Sequence, residues 1–296
     1  PVSNVGLKPI LAYTVNNDLV NDKKQRDIYI IDLNKNNPTP INITNSKDYN
    51  ESKLDWSPNG QRIIYQSKQL GEDDDDYDIW VMDADGQSPT QLTTSKKHEK
   101  EPDWSAKRNQ IIYNRDNSVY NNENGEFWIM NPDGSEQTPL LRKNGDNIDG
   151  RSPVWSPDGE QIVFMKIVDN NWQIFIYSML SDQLEQLTDC DISCRFPAWS
   201  PKGRYIIFHK AIKNNGVYEA REIGMIELSD PENMYIINRA SGGLGMPTWS
   251  EDKWVAFNAG SERGIHYGYL NLETMEIENL VTILEETDVW GLEWSR

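Results

Sequence analysis

One short stretch constrains this chain more than any other: Val154-Trp155-Ser156-Pro157-Asp158-Gly159, followed by the apolar run Gln161-Ile162-Val163-Phe164. An aromatic residue ends one apolar segment, Ser-Pro-Asp-Gly supplies a tight turn, and β-branched residues resume, which is the pattern of a hairpin. The stretch recurs as Asp55-Trp56-Ser57-Pro58-Asn59-Gly60, Asp103-Trp104-Ser105, Ala198-Trp199-Ser200-Pro201-Lys202-Gly203 and Thr248-Trp249-Ser250, and a last Trp294-Ser295 has no strand after it. Successive tryptophans fall 44 to 51 residues apart. A repeat of that period made of short strands predicts propeller blades, since a helical solenoid would carry a 3.6-residue period instead.

Between the turns each repeat holds two further strand patterns. In the second repeat these are Asp78-Ile79-Trp80-Val81-Met82-Asp83 and Thr90-Gln91-Leu92-Thr93, joined at Asp85-Gly86. The first repeat begins with Pro9-Ile10-Leu11-Ala12-Tyr13 and lacks its own Trp-Ser strand, which stands at the other end as residues 289–294. The expected fold is therefore all-β: a six-bladed β-propeller with four antiparallel strands per blade, residues 1–296 forming a single domain, and the N- and C-termini sharing one blade. The tryptophan at each turn is expected to wedge between neighbouring blades.

The formal charge is -18, from 47 acidic against 29 basic residues. Such a surface repels nucleic acid and anionic membrane and favours a basic or neutral partner. No apolar run reaches the length of a membrane helix and residues 1–4 do not read as a signal peptide, so membrane insertion is not expected. The two cysteines, Cys190 and Cys194, stand four apart, a spacing open to either a small disulfide or two free thiols.

With these residues laid out, the chain resembles the TolB-type β-propeller repeat. Pro153-Val154-Trp155-Ser156-Pro157-Asp158-Gly159 matches the first part of that pattern, and Ile79-Trp80-Val81-Met82-Asp83-Ala84-Asp85-Gly86 with Gln91-Leu92-Thr93 matches the rest. The resemblance implies a propeller without the α/β domain that precedes it in TolB. It also implies a periplasmic or extracellular location in the cell envelope and binding of a protein or peptide, with a Pal-like lipoprotein as the model partner, to a monomer. The same repeat builds oligogalacturonate-lyase-like enzymes, so an enzyme acting on acidic oligosaccharides is the alternative reading.

Four residues before each repeat tryptophan stand Ser52, Lys100, Arg151, Arg195, Gly245 and Trp290, which are expected to ring one channel mouth. The candidate binding residues are Lys100, Glu101, Arg151, Arg195, Met246, Trp290, His98 and His209, and the three cations suggest a site for carboxylates. The bland alternative is solvated or paired rim charge. No catalytic residue is expected: His98, His209 and His266 fall in different blades, and no Gly-x-Ser-x-Gly elbow is present. No cofactor is expected either. The run Glu72-Asp73-Asp74-Asp75-Asp76 has the oxygen ligands for calcium but lacks the alternation and central glycine of a calcium loop, so it reads first as a solvated acidic loop.

Overall fold

The structure, a computed structural model, describes residues 10–20, 23–70, 76–117, 124–214, 217–241, 245–250, 253–258, 264–285 and 287–295. Every regular element among them is a β-strand. They are β1 (Ile10–Val20), β2 (Lys23–Asp32), β3 (Ile41–Asn42), β4 (Tyr49–Trp56), β5 (Arg62–Gln69), β6 (Asp78–Asp83), β7 (Thr90–Gln91) and β8 (His98–Trp104). Next come β9 (Ile111–Asp116), β10 (Gly125–Met130), β11 (Thr138–Pro139), β12 (Asp149–Trp155), β13 (Gln161–Val168), β14 (Asn171–Ser178), β15 (Leu184–Gln186) and β16 (Ser193–Trp199). The last are β17 (Tyr205–Asn214), β18 (Val217–Glu227), β19 (Asp230–Ser241), β20 (Gly245–Trp249), β21 (Trp254–Asn258), β22 (Ile265–Asn271), β23 (Glu276–Ile283) and β24 (Val289–Trp294).

Antiparallel ladders run β4-β5-β6-β7, β8-β9-β10-β11, β12-β13-β14-β15, β16-β17-β18-β19 and β20-β21-β22-β23. The remaining ladder is β24-β1-β2-β3, so the last strand pairs with the first, Leu11 opposite Trp294 and Val15 opposite Val289. Short bridges from β10 to β12 and from β14 to β16 fuse three of these units into one sheet. The inner strands neighbour one another in the order β24, β4, β8, β12, β16, β20, and β20 returns to β24.

The repeat residues build the turns by plain hydrogen-bond chemistry. Ser57, Ser156 and Ser200 each donate a backbone N–H back across the turn, to Arg62, Gln161 and Tyr205, while their hydroxyls accept the N–H of the same residues at 2.8–2.9 Å. The turn passes through the left-handed region at Gly60, Gly159 and Gly203, four residues after the tryptophan, and in the third repeat one position later, at Asn109 with φ 51°. The Leu-Thr pattern explains why β7 and β15 are so short. Thr93 and Thr188 accept the N–H of Ile79 and Ile174 at 2.8 Å, so a hydroxyl replaces the next ladder carbonyl and pairing stops. Strands β18 and β19 are longer, and no threonine hydroxyl interrupts their ladder.

Each unit packs on the next through one apolar cluster. Trp56, 1 % exposed, meets Ala12, Ile28 and Ile43 of the preceding unit, and Trp155 meets Ile112, Phe127 and Leu140. The cluster containing Trp294 joins Leu11 and Tyr13 at the start of the chain to Trp254 and Tyr267 near its end. At about 200 Å² per tryptophan and ~25 cal/mol/Å², each wedge contributes about 5 kcal/mol. Cys190 and Cys194 form a disulfide, and both sulfurs lie buried in the cluster of Trp172 and Trp199.

Two junctions also hold carboxyl groups away from water, Glu51 buried and Asp78 partly so. Burial, with Asp27 adding to it, pushes Glu51 up to about 7 even though Ser46 donates a hydrogen bond to it at 2.8 Å. Burial and the neighbouring Glu99 push Asp78 up to about 7 as well. A carboxyl whose folded pKa is raised stabilises the fold fully below its unfolded pKa and loses that contribution as pH rises through the folded value. Melting temperature is therefore expected to fall between pH 5 and pH 8 on account of these groups. Glu51→Gln should be about 2 kcal/mol more stable than the parent at pH 8 and no better at pH 4. Denaturation at the two pH values checks this, and equal effects at both would refute it.

Candidate functional site

Every inner strand carries a β-bulge three residues before its tryptophan. The ladder registers shift there, and Lys53, Glu101, Ser152, Phe196, Met246 and Gly291 all have positive φ, between 47° and 56°. Five of the six are not glycine, so each holds about 1 kcal/mol or more of backbone strain that its surroundings must offset. The extra residue re-aims the strand, and these bulge residues line a central cavity of about 220 Å³. Its walls continue through Asp55, Asp103, Val154, Ala198, Thr248 and Glu293, and its rim includes Ala106, Pro157 and Pro201 of the Trp-Ser turns. The cavity thus occupies the half of the channel beside those turns.

The lining is divided. Asp55, Glu101, Asp103 and Glu293 come from the neighbouring strands β4, β8 and β24, whereas Val154, Phe196, Ala198 and Met246 come from β12, β16 and β20. The acids are fixed across the junctions. Trp104 N–H donates to Asp55 Oδ2 at 2.6 Å, Trp155 N–H to Asp103 Oδ2 at 2.9 Å, and Ser152 N–H to Glu101 Oε2 at 2.7 Å. Thr248 Oγ1 donates to Glu293 Oε1 at 3.0 Å. Lys53 reaches across the channel, its Nζ 4.4 Å from the centre of the Phe196 ring. Burial holds its pKa below the usual lysine value, with Arg26 and Arg151 adding to the effect and Glu101 opposing it.

The expected site residues are placed one position differently from the simple count. Counting back four from each tryptophan ignores the bulge, so the residue that faces the cavity is the third before it. Glu101 and Met246 are in the lining. Lys100 and Arg151, expected at the mouth, are 2 % and 0 % exposed instead and converge on Asp116, Arg151 Nη1 at 2.5 Å and Lys100 Nζ at 3.2 Å from the same Oδ2. Arg151 also donates to Asn114 Oδ1 at 2.9 Å. Arg195 is half-buried, donates to Ser193 Oγ at 2.7 Å and lies over the Trp172 ring. Ser52 accepts from Gln66. Trp290 is exposed, outside the cavity lining, with its indole N–H donated to Asp288 at 2.9 Å and Arg26 over its ring.

The histidines are separate. His98 Nδ1 accepts the Tyr77 N–H at 3.3 Å, and burial, then Lys100, hold its pKa below the ordinary range while Asp76, 3.4 Å away, opposes them. His209 stacks on Phe196, and His266 Nδ1 shares a hydrogen bond with Thr282. Among the described residues no three His, Cys, Asp or Glu side chains group as metal ligands. Residues 72–75 of the acidic run lie outside the described residues. Lys53, Ser152, Phe196 and Gly291 are the bulge positions that counting missed; Gly291, the only glycine among the six, was the one visible hint.

No family model matches this sequence, and no curated protein matches it by sequence. Solved structures match it by shape. The crystal structure of TolB from Acinetobacter baumannii superimposes with a TM-score of 0.70 at 15% identity, over 97% of this chain and 66% of that chain. A chain of the nidogen/laminin complex superimposes with a TM-score of 0.70 at 9% identity, over 97% of this chain and 98% of its own length. Oligogalacturonate lyase in complex with manganese gives a TM-score of 0.57 at 12% identity, over 88% of this chain and 71% of that one. This chain thus spans 66% of the length of that TolB. At these identities the likeness concerns fold alone, and in fold the chain is a TolB-like β-propeller.

Proposed function

We propose that residues 1–296 form one six-bladed ring, sealed by β24 beside β1, and that this ring is a non-enzymatic module binding a protein or peptide at the channel mouth beside the Trp-Ser turns. The observation that carries the reading is the cavity of about 220 Å³, to which every inner strand contributes the same bulged position. Strain repeated at one place per repeat is kept where the position serves a purpose beyond packing. Glu101 and Met246 are the expected binding residues that fall inside it. The likeness to TolB and the disulfide support a place in the cell envelope, in the periplasm or outside the cell. An acidic oligosaccharide is disfavoured in this channel, because among the described residues four carboxylates line it against one lysine.

Capture from an envelope fraction tests the reading. Ala106 is exposed on the rim, so Ala106→Trp should obstruct the mouth with little effect on stability. A partner retained by the parent and lost with Ala106→Trp is the expected result. Equal retention by both would move the binding surface elsewhere.

A further inference from the structure

We propose that the cavity takes a basic side chain of the partner, a guanidinium or ammonium on an aliphatic stem, and that Lys53 of the chain itself stands where that group would lie. The inference rests on the channel-mouth reading and adds the chemistry of what enters. Two features of the site carry it. The first is the division of the walls: carboxylates on one arc, Phe196, Met246, Val154 and Ala198 on the other. That arrangement suits a group with a cationic end and an apolar shaft, because the shaft can lie on the apolar arc while the head meets the acids. The second is Lys53. It crosses the channel to put its ammonium over the face of Phe196, which shows that the site accommodates an alkylammonium by cation–π attraction.

The acids are oriented by the protein itself. Asp103, Glu101 and Glu293 are each oriented by a donor from the neighbouring unit, so they are held in place before anything enters. A carboxylate oxygen has a further lone pair for an incoming N–H. Net charge acts in the same sense, since a chain at -18 draws cations toward it. Among the described residues of the lining, an anionic occupant would meet Lys53 as the one cation, facing four carboxylates.

The test uses a matched pair of small probes, butylguanidinium and valerate, measured by ligand-observed NMR on the full chain at low salt. Butylguanidinium is expected to bind and valerate not to. Lys53→Met should raise affinity for butylguanidinium by about threefold or more, because it removes a competing ammonium, while Phe196→Leu should lower it by about as much. Glu293→Gln should also lower it and guards against a Lys53 variant that fails to fold; melting curves identify that case. Valerate binding that Lys53→Met abolishes would overturn the proposal in favour of a carboxylate site. No millimolar binding of butylguanidinium, or affinity unchanged in Lys53→Met, would also overturn it. Probe binding without partner capture would retain the chemistry and reject the partner reading; capture without probe binding would do the reverse.

Discussion

A chain ending at residue 288 is expected to lose its cooperative unfolding transition. The deletion removes the strand opposite β1, leaving the N–H and C=O groups that meet Val289, Trp290, Glu293 and Trp294 without a ladder. It also removes the Thr14 hydroxyl's acceptor, Trp290 O at 2.7 Å, and the paired bonds between Ile10 and Ser295. The larger loss is apolar. Val289, Leu292 and Trp294 are at most 5 % exposed and fill the junction between β1, β2 and the strands β21 and β22. Truncating such residues costs about 2–5 kcal/mol each, and the sum is comparable to the ~5–15 kcal/mol by which a domain is stable. Trp294→Ala alone should cost about 4 kcal/mol. Urea unfolding followed by near-UV circular dichroism reads both. A truncated chain that unfolds at the parental midpoint would mean that the terminal pairing does not hold the structure together.

Arg151→Ala is expected to destabilise the protein by about 3 kcal/mol or more, far beyond Arg195→Ala. Arg151 is fully buried and sits 2.5 Å from Asp116, closer than Lys100 at 3.2 Å, so its loss takes the nearer cation from a buried carboxylate and opens a void the size of the side chain. Arg195 is half-buried rather than fully buried, and its guanidinium bonds a serine hydroxyl and lies over Trp172, so its removal opens a smaller void at a site water can reach. Denaturant midpoints of the two variants at neutral pH make the comparison. Equal midpoints would show that the Arg151–Asp116 pair is not the anchor its geometry indicates.

These two arginines also show where reading the sequence stopped. They occupy the same position in consecutive repeats, and nothing local distinguishes them. Asp116 lies thirty-five residues before Arg151 in the chain and is brought to it only by the packing of β9 on β12. A long-range ion pair has no local signature. The disulfide was undecided for a related reason: a spacing of four permits a bond but does not bring the two Cα atoms to the observed 6.1 Å.

What the sequence settled by itself was the repeating frame. Ser-Pro-Asp-Gly turns, Leu-Thr ladder ends and a tryptophan at each turn are local chemistry repeated at a steady period, so strand order, the wedge residues and the pairing of the last strand with the first could all be read before any coordinates. The tertiary structure alone decided which side chains face the channel. A bulge adds one residue to each inner strand and reverses the alternation beyond it. Five of those six positions are held left-handed without glycine, by contacts from neighbouring strands that the linear chain does not display.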